Sequence, residues 1–247
     1  MRLLLVNPNM TEAMTDSMAA IAACVAGPRA EIVPLTATRG FPYIASRAEA
    51  QIAGGIALEM IADNLEGIDA VIIAAFGDPG LVGAREIFDV PVVGMAEASV
   101  LSAAMLGDRF SIVTFSPVMT RWYSDCVAAT GLVGRFTGVR TPKGHAPELL
   151  HARDAQHAAL VELARAAAIE DGADVVILGG APLAGLAPEI ASEVPAVVLD
   201  PISAATAQAL TLAVLRTAGQ ARASRPIAKT SVGLSPALSR IIAMEAP

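Results

Sequence analysis

A chain of 247 residues that is 54% hydrophobic and 17% charged carries enough apolar material for one large core or two half-sized ones and too little charge to remain unfolded. A net charge of −7 without a Lys/Arg block, and only one Trp, two Tyr and six Phe, supply neither the basic footprint nor the stacking platform of a nucleic-acid binder. The longest charge-free stretches, such as Val175 to Pro188 and Pro201 to Leu215, are too short for a membrane span or are broken by Pro, Gly, Ser and Thr. Arg2 is followed by only four apolar residues before Asn7-Pro8-Asn9, which is not the core of a secretory signal. A cytoplasmic protein with a small-molecule partner is expected, with no role for nucleic acid or membrane and with room for a homo-oligomer.

In chain order, short β-branched runs ending in Gly, Asn, Asp or Pro alternate with Ala-rich stretches of helical period, the pattern of parallel sheet covered by helices. Strands are expected at Arg2 to Asn7, Glu31 to Leu35, Ala70 to Ala75, Val90 to Met95, Arg109 to Thr114, Arg135 to Gly138, Val175 to Gly180 and Ala196 to Leu199. Helices are expected over Thr11 to Val25, Arg47 to Asn64, Leu81 to Phe88, Ala98 to Leu106, Met119 to Thr130, Ala155 to Asp171, Leu186 to Glu193 and Ile202 to Arg216. From Gly219 onward, Pro226, Gly233 and Pro236 precede a short apolar stretch, a tail that wraps the surface or closes a site.

The chain also matches itself. Gly67-Ile68-Asp69-Ala70-Val71-Ile72-Ile73 aligns with Gly172-Ala173-Asp174-Val175-Val176-Ile177-Leu178, Gly80-Leu81 with Gly185-Leu186, Val90-Pro91 with Val194-Pro195, and Arg2 to Asn9 with Arg109 to Ser116. Four segments repeating in the same order predict two copies of one α/β unit. The fold class is therefore α/β: two pseudo-symmetric lobes, each a four-stranded parallel sheet flanked by helices, with a cleft between them. Lobe one is expected to hold residues 1–97 plus 206–247, and lobe two residues 98–205. Ligands of such sheets bind beyond the carboxyl ends of the strands.

Those strand ends carry Asn7 and Asn9, Thr114 and Ser116, and Asp78. Asn9 with Glu12, Ser46 with Glu49, Ser116 before Pro117 and Asp78 before Pro79 all have helix-capping spacing. Capping accounts for each singly. Together they aim several helix N-termini at one cleft, which suits carboxylate, carbonyl or enolate oxygens. Gly77, Gly80 and Gly83 do not make a dinucleotide fingerprint and no phosphate-binding loop occurs, so no cofactor is expected. Cys24 and Cys126 lack metal-ligand or disulfide spacing and read as small buried hydrophobes on helices away from the strand ends. His145, His151 and His157 recur every six residues, a spacing that shares no helix face, so no metal is expected. Glu97 and Asp200 fit either cleft acids or buried caps and ion pairs. Tyr43, Ser46 and Arg47 lie at a loop and helix start, where the guanidinium could hold a carboxylate or simply face solvent.

The stretches Leu5-Val6-Asn7-Pro8-Asn9-Met10-Thr11, Ala75-Phe76-Gly77-Asp78-Pro79-Gly80-Leu81, Pro91-Val92-Val93-Gly94, Phe110-Ser111-Ile112-Val113-Thr114 and Ile177 to Leu186 resemble the aspartate/glutamate/hydantoin racemase superfamily, most of all its hydantoin and allantoin racemase branch. The likeness runs over about residues 1 to 216. It implies cofactor-free chemistry at a carbon next to a carbonyl, on a small amide, cyclic ureide, imide or carboxylate. In racemases of this kind a cysteine ends the central strand of each lobe and the pair works as two opposed bases. The resemblance places those positions at Ala75 and Gly180, neither of which carries a proton, and the related malonate-type decarboxylases keep one cysteine that is also missing here. The backbone around Phe76 to Asp78 is expected to hold substrate oxygens, and Ala75, Phe76, Gly77, Gly180 and Ala181 are expected at the substrate-binding site. Asp78, three residues past Ala75, is the remaining candidate for a catalytic base, although a capping carboxylate is a weak one. Racemisation by other bases, hydrolysis, decarboxylation and plain anion binding all stay open.

Overall fold

The computed structural model of the protein describes residues 1–142, 152–215 and 225–244. Eight strands form two four-stranded parallel sheets. The first takes β1 (Arg2–Asn7), β2 (Glu31–Thr36), β3 (Ala70–Ile73) and β4 (Val92–Gly94) in the order β2-β1-β3-β4. The second takes β5 (Phe110–Val113), β6 (Phe136–Arg140), β7 (Val175–Leu178) and β8 (Val197–Leu199) in the order β6-β5-β7-β8. Both faces of the central strands are covered, so β1, β3, β5 and β7 read as continuous apolar runs. Pro34 lies in β2, an edge strand, where a missing N–H is tolerated.

The repeat extends to individual hydrogen bonds. Ala74 N donates to Val6 O and Gly179 N to Val113 O, each at 2.8 Å. Arg2 N donates to Asp69 Oδ2 at 2.7 Å, and Arg109 N to Asp174 Oδ2 at 2.9 Å. Gly67 and Gly172, one turn before these aspartates, share φ of 69° and 68°. An identical turn therefore launches the central strand of each sheet.

The helices are α1 (Glu12–Ala26), α2 (Arg47–Asp63), α3 (Leu81–Ile87), α4 (Met95–Leu106), α5 (Thr120–Ala129), α6 (Ala152–Ile169), α7 (Ala187–Ile190), α8 (Pro201–Leu215) and α9 (Pro236–Ala243). Each sheet's last strand hands its following helix to the other half of the molecule. Helix α4 leaves β4 and packs on α5 and β7, while α8 leaves β8 and packs on α1, β3 and β4. The two exchanged helices touch, Gln208 Nε2 donating to Ala98 O at 3.0 Å and Ser102 Oγ at 2.9 Å. One buried cluster, including Leu5, Met95, Tyr123 and Ile177, therefore runs through both sheets. At about 1.5–3 kcal/mol per large side chain buried, this shared core ties the halves together.

Several sequence expectations change. Helix α4 starts at Met95 rather than Ala98, because β4 ends at Gly94. The helix expected over Leu186 to Glu193 breaks into α7 and a 3-10 turn, Ala191–Glu193. Cys24 is exposed rather than buried: the inward stripe of α1 is Met14, Met18, Ala22 and Ala26, spaced by four, and position 24 falls on the opposite side. The described part of the tail packs on α2. Leu238 of α9 is buried against Ala57 and Ile61 of α2, and Ser235 donates through N to Glu59 Oε1 at 3.0 Å and through Oγ to Asp63 Oδ1 at 2.9 Å.

Candidate functional site

The end of β1 folds into a side-chain network. Asn7 Nδ2 donates to Thr15 Oγ1 at 2.9 Å and Asn9 Oδ1 at 3.1 Å, and Asn7 Oδ1 accepts from Asn9 N at 3.2 Å. Asn9 Oδ1 also accepts from Thr11 N at 2.9 Å. This is an Asx turn leading into α1, with Thr11 rather than Asn9 at the N-cap position. Asn7 is consumed by structure. Asn9, although buried, gives its amide Nδ2 only the thioether of Met14, 3.8 Å away, a weak acceptor that leaves its donors available.

At the matching end of β5, Thr114 is fully buried and its Oγ1 has no hydrogen-bond partner. A buried hydroxyl left unpaired costs about 1–3 kcal/mol, a cost that a ligand atom would remove. Ser116 is also buried, but its side chain does not cap the 3-10 turn Pro117–Met119 that follows.

The stretch Ala75 to Leu81 crosses from β3 to α3. Ala75 and Phe76 are buried. Gly77 takes φ 125° and lies under Trp122, where a Cβ would stand 2.2 Å from the indole ring. Asp78 takes φ 52°, uncommon for a residue with a side chain. It does not cap its own helix as expected; Gly80, left-handed, precedes α3. Its carboxylate instead reaches the start of α4, with Oδ1 accepting from Ala96 N and Oδ2 from Glu97 N, both at 2.8 Å. Gly94 makes room, since a Cβ there would sit 2.4 Å from Asp78 Cγ. Burial pushes the Asp78 carboxyl up to about 7, against the downward pull of the two backbone donors. Glu97 forks onto Arg85, with one contact at 2.9 Å, and Asp200 accepts from Gly185 N and Ser203 N, each at 2.7 Å. Asp200 is thus a cap, and Glu97 is an ion-paired acid that also borders a cavity.

Gly180 stands two residues beyond β7, as Ala75 does beyond β3, so the strands bring the two to equivalent places. Gly180 has φ 123°, and a Cβ on it would meet Phe115 Cε1 at 2.8 Å and the Tyr123 hydroxyl at 3.5 Å. Ala181 opens a 3-10 turn, Ala181–Leu183, immediately after it. Aromatic rings fill the seam between the halves: Phe76 meets Tyr123 edge-on at 4.6 Å, Tyr43 lies 6.0 Å from Phe115, and Trp122 adjoins Tyr123. Of these rings, sequence reasoning selects Tyr43 and Phe76. It misses Tyr123, Phe115 and Trp122, because they sit inside or just before an ordinary amphipathic helix; scarcity, as the sole Trp and one of two Tyr, is the available signal for two of them.

Ser46 closes a capping box: its side chain accepts from Glu49 N at 3.2 Å while Glu49 Oε2 accepts from Ala45 N at 2.6 Å. Arg47 pairs with Asp125 at 2.5 Å and donates to Arg121 O at 3.3 Å, joining α2 to α5. Beneath this pair lies a cavity of about 630 Å³ between α2, the Gly77–Gly83 stretch and α5. It is lined by Asp78, Glu97, Trp122 and Cys126 among others, but by none of Asn9, Ala75, Thr114 and Gly180. Cys126 thus faces the Asp78 loop instead of lying clear of it. Its thiol is pushed up to about 12 by burial first and then by Asp78 and Asp125, so it stays protonated at neutral pH. Among the described residues no group of His, Cys, Asp and Glu could hold a metal ion. His157 faces Glu193 at 3.6 Å, and His145 and His151 lie outside the described residues. No described helix is long and apolar enough to cross a membrane.

A model of the Asp/Glu/hydantoin racemase family matches residues 3–209. The chain belongs to that family. It is 33% identical over 220 residues to a hydantoin racemase of Paenarthrobacter aurescens, covering 87% of this chain and 92% of the relative. It is 34% identical over 205 residues to a hydantoin racemase of Pseudomonas sp. strain NS671, covering 83% and 82%. Among solved structures, allantoin racemase from Klebsiella pneumoniae superposes with a TM-score of 0.87 at 32% identity, covering 96% of this chain and 98% of the other. Allantoin racemase from Pseudomonas fluorescens gives 0.85 at 30%, covering 94% and 100%. The same fold, at 15% identity and a TM-score of 0.64, occurs in a maleate isomerase from Pseudomonas putida.

Proposed function

We propose that this protein is a cofactor-independent, cytoplasmic enzyme acting beside a carbonyl in a small cyclic ureide, imide, amide or carboxylate, and that it does not use a two-thiol mechanism. The observation that carries this reading is the paired strand ends. Ala75 and Gly180 stand where the family resemblance puts opposed cysteines, and neither side chain can take or give a proton. The ends of β1 and β5 add two donors for oxygen, the Asn9 amide and the unpartnered Thr114 hydroxyl. Asp78 is a poor general base in this position, since both its oxygens are already engaged at the start of α4.

Polarisation of a carbonyl by preorganised donors is worth several kcal/mol of barrier without any base. That leaves hydrolysis, decarboxylation or slow one-face exchange to this site, with water as the nucleophile or as the carrier of the proton, while two-thiol inversion is lost. Single enantiomers of a 5-substituted hydantoin and of allantoin, incubated in deuterium oxide, separate these outcomes by optical rotation and by α-deuterium content. The expected result is no inversion at the rate of cysteine enzymes. Rapid exchange with inversion overturns the reading. A second reading, a small-anion binding protein without turnover, is favoured by the same missing thiols and is recognised by ligand binding with neither exchange nor product.

A further inference from the structure

The chain has only two tyrosines, and they meet across the seam. Tyr43 comes from the loop between β2 and α2, Tyr123 from α5. Each hydroxyl influences the other's ionisation, and Thr114 is a further polar neighbour of Tyr123, although Thr114 Oγ1 makes no hydrogen bond of its own. Phe76 holds the Tyr123 ring edge-on from the first lobe. Gly180 completes the group: any side chain there would run into Phe115 and toward the Tyr123 hydroxyl. Position 180 is thus closed as well as empty, and the space its side chain would take is faced by a phenol from a different helix.

We propose that Tyr123 and Thr114 are the substrate-oxygen donors on the second lobe's side of the seam, standing in for a residue-180 side chain. The inference rests on the reading of the seam as a site for carbonyl compounds and assigns that site its polar contact. A phenol pushed further up by burial remains protonated at any ordinary pH, so the group donates and does not abstract. It hydrogen-bonds a carbonyl or enolate oxygen, and because neutral hydroxyls in a buried aromatic setting do not offset a double negative charge, neutral ureides and imides are favoured over a dianion such as sulfate. Tyr43, from the loop before α2, faces the Tyr123 hydroxyl and orients it.

Two tyrosines make the test direct. Protein labelled with 3-fluorotyrosine gives two fluorine resonances, assigned by Tyr43→Phe, and is titrated with hydantoin, succinimide and, as a dianionic control, sulfate. The Tyr123 resonance is expected to shift with hydantoin or succinimide and not with sulfate. In calorimetry with the same probes, Tyr123→Phe and Thr114→Val are each expected to weaken binding at least tenfold, and Tyr43→Phe severalfold; circular dichroism reports whether each variant is folded. If the wild type binds none of the neutral probes, the seam reading and this inference fall together. If it binds them while Tyr123→Phe and Thr114→Val bind equally well, or the Tyr123 resonance stays still at saturation, the inference alone falls. The labelled wild-type protein distinguishes these outcomes even if a substituted chain fails to fold.

Discussion

Asp78→Asn should lose some stability at pH 4 and gain on the wild type as pH rises, becoming the more stable of the two by pH 8. The carboxyl rises from an ordinary 3.8 to about 7 in the folded state, so between those values the folded chain binds a proton that the unfolded chain has released. Stability contributed by this group is therefore full below pH 4 and falls as pH rises toward 7. The gap between 3.8 and about 7 corresponds to a loss of about 4 kcal/mol by pH 8. An amide buries no charge beneath Gly94, and its Oδ1 still accepts one α4 N–H, but its NH2 cannot accept the other and leaves that donor unpaired at a cost of about 1–3 kcal/mol at every pH. Urea denaturation of wild type and variant at pH 4, 6 and 8 measures the difference, which should start at about 1–3 kcal/mol against the variant at pH 4 and move by about 4 kcal/mol in its favour by pH 8. Should Asp78→Asn instead be destabilised by about 1–2 kcal/mol at every pH, as loss of an ordinary charged cap would be, the carboxylate is ionised in the fold and the expected sign is refuted.

Thiol titration should find one fast cysteine and one slow, because Cys24 is exposed while Cys126 is half-buried with its thiol raised to about 12; equal rates would contradict the placement of α5. Leu238→Ala should cost about 2–3 kcal/mol of cavity and transfer energy and open α9 to proteolysis without moving the Trp122 emission; an unaltered digestion pattern would show that α9 is not docked. Gly180→Cys should lose about 2–4 kcal/mol, from a positive φ and the collision with Phe115 together, whereas Ala75→Cys, which already has its Cβ, should fold almost normally. Comparable melting temperatures for the two would refute the closed reading of position 180.

All eight strands and the doubled architecture are legible because both rest on patterns that survive in one sequence: strand-length apolar runs and a repeat of Gly-x-Asp before each central strand. The turn at Gly67 and its copy at Gly172 are local chemistry, so the sequence carries them. What it cannot carry is which helix end a carboxylate reaches. Asp78-Pro79 has the spacing of a cap for the following helix, yet the chain turns left-handed at Asp78 and Gly80, and the carboxylate serves α4, 18 residues on. Arg47 reads as a free fork at a loop and is spent on Asp125, a pairing set by how α2 and α5 pack. Tyr123 is invisible for the same reason, since no periodicity tells which buried ring of a helix has its hydroxyl at a strand end of another element.

The two lobes share a backbone plan but not a site chemistry, and the difference follows from what each strand end can accommodate. On the first lobe, the Ala75 backbone leads into a loop pinned by Asp78 to α4, and α4 is also the helix that crosses to pack on β7. On the second lobe, Gly180 takes a conformation that favours glycine, and Phe115 and Tyr123 close over it. The glycine at 180 is met by aromatic packing that occupies the approach of any side chain. On the proposed reading the seam is asymmetric, with the Asn9 amide as donor on one side and the hydroxyls of Thr114 and Tyr123 on the other. An asymmetric pair of donors can hold one enolate or carboxylate in a single orientation, the arrangement that chemistry on one face requires and that inversion between two equivalent faces does not.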